Sequence, residues 1–103
     1  MKIIEKIVDM IDDELSGAEE YAETAHAQKN AHPKLADRLI ELAEVEMGHA
    51  KILHTEIVRL IEEVRQRDGA PPPEMMAIYE YEHSKQIKMA ATVRQMIAEY
   101  KNS

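Results

Sequence analysis

Backbone punctuation falls in only two places in this chain, and that limits the fold more than any other feature. Asn30-Ala31-His32-Pro33 is one break and Asp68-Gly69-Ala70-Pro71-Pro72-Pro73 is the other. Proline cannot continue a helix from the inside but suits its first turn, where the missing N–H would have had no partner. The breaks therefore predict three helices, over residues 2–30, 33–68 and 73–101. A short turn makes consecutive helices antiparallel neighbours, so residues 1–68 should form a helical hairpin. Residues 69–73 then form a Pro-rich linker and 74–103 a C-terminal helix. The stiff triple proline is compatible with a third helix on its own hairpin or on a neighbouring subunit.

Composition agrees with an all-α reading. The chain has 103 residues, 45% hydrophobic and 32% charged, with Gly 3 and neither Phe nor Trp. A domain of this size buries a small fraction of its surface and gains much from association. A net charge of -7 opposes the phosphate neutralisation on which nucleic-acid binding depends. With Cys 0, disulfides, thiolate metal sites and cysteine nucleophiles are excluded. Lys2, Glu5, Lys6 and Asp9 interrupt the apolar residues of the first ten, which argues against a signal peptide or a membrane span. The expectation is a soluble cytoplasmic protein that binds neither nucleic acid nor membrane.

Helical spacing places Ile4, Ile7, Ile11, Glu14, Ala18, Tyr21 and Ala25 on one stripe of the first helix. On the second helix it collects Leu35, Leu39, Leu42, Glu46, His49, Leu53, Ile57, Leu60 and Val64. Glu14, Glu46 and His49 thus interrupt stripes that ought to be core. An ionised carboxylate there is costly unless it is paired, hydrogen-bonded or bound to a metal. The levels also agree, since Glu14 lies about 24 Å and Glu46 about 20 Å from the turn at 1.5 Å per residue.

Carboxylate-bridged pairs of iron or manganese ions inside four-helix bundles need this arrangement: one Glu from each of two helices and Glu-x-x-His from each of the other two. The i, i+3 spacing puts Glu46 and His49 on one face. One hairpin supplies half of such a site, and two hairpins related by a two-fold axis supply all of it.

The segment Ala43-Glu44-Val45-Glu46-Met47-Gly48-His49-Ala50-Lys51 resembles the second-helix metal motif of the rubrerythrin and ferritin-like superfamily. Glu14 with Tyr21 seven residues on is similar to the first-helix ligand and nearby tyrosine of rubrerythrins. With three helices in place of four, the chain looks most like the half-length encapsulated ferritins, whose site is completed between two subunits. The resemblance implies a ferroxidase that oxidises Fe(II) with dioxygen for iron storage or detoxification. It also implies a di-iron site, two ions per subunit pair with manganese as the alternative metal, in a homodimer or larger homo-oligomer. Glu14, Glu46 and His49 would be the ligands and Tyr21 would stand behind them. An encapsulating shell, or nanocompartment, is implied by the resemblance alone. No Trp flanks Tyr21, and Glu99-Tyr100-Lys101-Asn102-Ser103 shows no evident shell-targeting peptide.

Glu80-Tyr81-Glu82-His83 repeats the Glu-x-x-His spacing, which makes Glu80 and His83 secondary metal candidates. The alternative is a helix packed through Met76, Ala90, Val93 and Ile97. His26, His32 and His54 lie off the stripes and are expected in solvent. Two rival functions share the same residues: a di-metal oxidase or peroxidase acting on another substrate, and a non-catalytic helical assembly protein whose acids pair with protons or cations.

Overall fold

The computed structural model describes residues 2–103, in which three helices follow one another: α1 (Lys2–Gln28), α2 (Pro33–Asp68) and α3 (Pro73–Lys101). Pro33 and Pro73 sit in the first turns of α2 and α3, as the punctuation predicts. α1 ends two residues before its expected limit, and α3 takes in Pro73 from the linker. Gly69 stops α2 with φ +85 and ψ -171, a combination essentially reserved for glycine, and its N–H closes the last turn on the Arg65 carbonyl.

The helices run up, down and up in a rod of 55 × 19 × 18 Å. α1 and α2 pair along their length, and α3 lies back on its own hairpin, mainly against α1 and only lightly against α2. Within the single chain α3 thus takes the first of the two placements that the triple proline allows. Two apolar clusters hold the rod together. In one, Ala18, Ala22 and Ala25 of α1 face Ala36, Ile40 and Ala43 of α2, with Val93 and Tyr100 of α3. In the other, Ile4, Val8, Ile11 and Leu15 meet Ala50 and Ile57. Met47 packs against both and makes them continuous. Ile57 and Val93 are wholly buried, each stabilising the fold by roughly 1.5–3 kcal/mol.

The core face of α2 is not the leucine stripe read from the sequence. Ala36, Ile40, Ala43, Ala50, Ile57 and Val64 are buried, whereas Leu35 is 50% and Leu42 43% exposed. Small residues on both helices let the backbones approach closely, so α2 turns its alanines toward α1 and leaves the leucines at the edge. Of that stripe only Ile57 and Val64 are buried.

Polar contacts fix where α3 sits. Gln86, the one buried polar side chain among the described residues, donates to the Val8 carbonyl at 3.1 Å and to Asp12 Oδ1 at 2.9 Å. At the other end the Tyr100 hydroxyl donates to Asp37 Oδ1 at 2.6 Å, which pushes its pKa up to about 12. Lys29 Nζ donates to the Tyr100 carbonyl at 2.6 Å, and His26 Nε2 donates to the Met96 carbonyl at 2.8 Å. His26 therefore holds the end of α3, a role its position off the stripe does not announce.

Candidate metal centre

Glu14 comes from the middle of α1, and Glu46 and His49 come from one face of α2, so the hairpin alone brings the three together. One ligand atom from each lies within 4.8 Å of the others, and no further group of three or more His, Asp or Glu meets that condition among the described residues. His49 Nδ1 is 3.2 Å from Glu14 Oε2, to which it donates, and 3.6 Å from Glu46 Oε1. The equal depths predicted along the two helices are thus observed as contact.

The cluster lies in the shallow edge between α1 and α2, on the side away from α3. Glu14 and Glu46 keep 26% and 25% of their side-chain surface, and His49 keeps 49%. The two carboxyls crowd each other. A hydrogen bond with Glu14, then burial, then the Glu14 charge raise the pKa of Glu46, with His49 opposing in part. In this state Glu46 holds a proton more tightly than an ordinary glutamate. A cation placed between the carboxylates reverses that preference, because it satisfies both charges at once.

Gly17 makes room for the site. A Cβ built on Gly17 would stand 3.2 Å from Glu46 Oε2, so the carboxylate lies against bare helix backbone. Glycine inside a helix costs about 0.5–1 kcal/mol relative to alanine, and the space it leaves here is filled by a ligand-bearing side chain. The sequence signal was a glycine one turn past Glu14 on the same face.

Tyr21 is partly buried and packs against the alanine cluster. Glu80 and His83 are not brought to the three residues. Glu80 is exposed, and His83 stacks on His54 with ring centroids 4.6 Å apart and on Tyr79 at 5.7 Å. Met76, Ala90, Val93 and Ile97 are all buried or partly buried, so α3 packs through the side given by the alternative reading. His54, expected in solvent, is half-buried between α2 and α3, where burial and then His83 lower its pKa.

An apolar border surrounds the cluster. Ile3 and Met10 of α1 and Leu35, Leu42 and Val45 of α2 are 40–51% exposed. By helical spacing Ile3 and Met10 continue the line of Glu14, and Leu35 and Leu42 that of Glu46 and His49. The charged residues are therefore set in an otherwise hydrophobic strip. No helix of the described residues is long and apolar enough to cross a membrane.

Comparison with protein-family models, with curated proteins and with solved structures finds no match to this chain. The reading of the site therefore rests on its own residues.

Proposed function

We propose that this protein is a ferroxidase whose di-iron carboxylate site forms between two copies of the chain, in the service of iron storage or detoxification. The observation that carries the reading is the meeting of Glu14, Glu46 and His49 within 4.8 Å in an apolar strip left open by the monomer. Two carboxylates and one imidazole are three donors, a set suited to Fe(II) but short of the four to six that such ions take. A second hairpin related by a two-fold axis covers the strip and brings the same three donors again. It also completes a four-helix ferritin-like bundle from two α1–α2 pairs.

In that assembly Glu46, Glu14 and His49 of each chain would hold the ions, with Glu46 placed to be shared between them, Glu14 a terminal or shared ligand and His49 a nitrogen ligand. Fe(II) is the substrate: each of two ions gives one electron to dioxygen, and two protons balance its reduction to hydrogen peroxide. The chain's own part is electrostatic and positional. Glu46, whose proton affinity is raised beside Glu14, would give up its proton as the cation binds, so uptake would release protons and weaken as pH falls. The apolar border excludes water, which strengthens the carboxylate–cation attraction.

The test is stopped-flow absorbance after mixing metal-free protein with Fe(II) in air, beside His49→Ala. A rapid phase that saturates near one iron per chain and disappears in the variant is expected. Oxidation at the background rate in both proteins sinks the proposal.

One observation favours a second reading. His49 Nδ1 stands 3.2 Å from Glu14 and 3.6 Å from Glu46, and the crowding by Glu14 favours a proton on Glu46, so the three can satisfy one another without a metal. A helical assembly protein would use such a group as a polar register mark within an apolar interface. In that case the purified protein holds no metal under metal-replete conditions yet still dimerises.

A further inference from the structure

The open side of α2 away from the carboxylates holds a second concave region, and its chemistry is of the opposite sign. By helical spacing its α2 lining residues lie roughly half a turn around the helix from Glu46 and His49. α3 touches α2 so little that a cavity of about 920 Å³ remains between them, large for a small-molecule site. Its floor is apolar, built from Ile11, Leu15, Ala50 and Ala90. Side chains bridge the two helices toward each end. At one end His54 and His83 stack at 4.6 Å across the two helices, and at the other Lys101 Nζ reaches Glu44 Oε2 at 3.1 Å. Between these contacts the α2 wall runs ten residues, about 15 Å, and the α3 wall eighteen residues, about 27 Å.

The charges along the groove are unlike those of the rest of the molecule. In a chain with 20 acidic and 13 basic residues, its lining includes a single acid, Glu44, which Lys101 neutralises. Lys51 from the α2 wall and Arg94 from the α3 wall also line it, and neither has an ion-pair partner among the described residues. An apolar trough bridged by side chains near both ends, with one unpaired cation on each wall, suits a molecule with a hydrophobic body and an anionic head. At the ~1.2 Å per bond of an extended chain, about ten carbons match the shorter, α2 wall.

We propose that the α2–α3 groove binds a medium-chain carboxylate, its alkyl chain along the Ile11–Leu15 floor and its carboxylate between Lys51 and Arg94. Gly48 lines the groove, and a Cβ added there meets nothing within 4 Å. Gly48→Leu therefore fills the trough from a helix position that tolerates it, and leucine is the better helix former. Lys51→Met with Arg94→Met keeps both aliphatic stems and removes both charges. The groove and the carboxylate–histidine cluster are independent, so this proposal stands or falls apart from the ferroxidase reading.

Calorimetric titration of the metal-free full chain with decanoate, and with decyltrimethylammonium as the cation of matched chain length, tests it. One-to-one saturable decanoate binding is expected, about tenfold or more tighter than the cation. It should weaken about tenfold or more in the Lys51→Met, Arg94→Met protein and be lost in Gly48→Leu, with helical circular dichroism unchanged in both. Absence of saturable binding, equal binding of the two amphiphiles, or undiminished binding by Gly48→Leu overturns the proposal. So does sedimentation in which Gly48→Leu alone, without amphiphile, breaks a larger assembly into a smaller one, because the groove is then occupied by a second copy.

Discussion

The two sides of α2 carry the same kinds of side chain and use them in opposite ways. On one side Glu46 and His49 meet Glu14 so closely that Glu14 raises the proton affinity of Glu46. On the other, His54 stacks on His83, burial and the second imidazole push His54 toward its neutral form, and Lys51 and Arg94 line the same groove. The first arrangement gathers acids, whereas the second has one acid, Glu44, held by Lys101. A Glu-x-x-His spacing is common to α2 and α3, yet only the α2 pair finds a third donor across the helix interface. What separates the two Glu-x-x-His spacings is therefore the residue opposite each, and in α3 the facing residue is an imidazole.

The largest test of this contrast is Glu46→Leu. It should bring Fe(II) oxidation to background while leaving the metal-free protein as stable as the parent or more so, because a crowded acid in an apolar strip is replaced by a residue that suits it. Iron kinetics and a chemical melt on the same preparation check both halves. A large loss of stability would show that the Glu14–Glu46–His49 contacts support the fold itself.

On the other side Gln86→Leu should cost about 1–2 kcal/mol, since Asp12 loses its partner beside the α1–α3 contact. The loss should appear as faster amide exchange in α3 than in the hairpin, because the hairpin keeps its own core. Uniform acceleration across all three helices would break the picture of α3 as a separately anchored element.

A smaller effect is expected from pH. His54 has a folded pKa below its unfolded one. Its contribution is fully present above the ordinary histidine value near 6.5 and is lost as pH falls through the lower folded value. A denaturation midpoint followed downward from neutrality should drop in this window, and His54→Leu should flatten that part of the curve. An unchanged slope in the variant would assign the acid sensitivity elsewhere.

The smallest is Gly17→Ala. Helix propensity favours it by about 0.5–1 kcal/mol, but the new Cβ meets Glu46 Oε2 at 3.2 Å and must displace a flexible carboxylate. The melting temperature should rise slightly while metal affinity falls. A rise in both would mean that the space over Gly17 is not used by the site.

The limits of all three helices were legible because Pro33, Gly69 and Pro73 act locally, through a missing N–H or a left-handed backbone angle. The meeting of Glu14, Glu46 and His49 was legible for a similar reason: a tight turn fixes antiparallel pairing, and a rise of 1.5 Å per residue then fixes level. The rotation of α2 about its own axis was not. Counting apolar residues favours Leu35 and Leu42, whereas close packing of Ala18, Ala22 and Ala25 on Ala36 and Ala43 decides the contact, and alanine carries little weight in a hydrophobic pattern. The roles of His26 and His54 were hidden too, since each depends on a residue about 30 or more positions away in α3. Sequence spacing places a side chain on a face and leaves open what faces it.

Whether two chains share the proposed site can be read by native mass spectrometry of the metal-free protein titrated anaerobically with Fe(II). A dimer carrying two ions is expected, with Glu14→Ala and His49→Ala each losing both ions together. A monomer that binds one ion with unchanged affinity at every protein concentration would contradict it, because the three donors of one hairpin would then be sufficient.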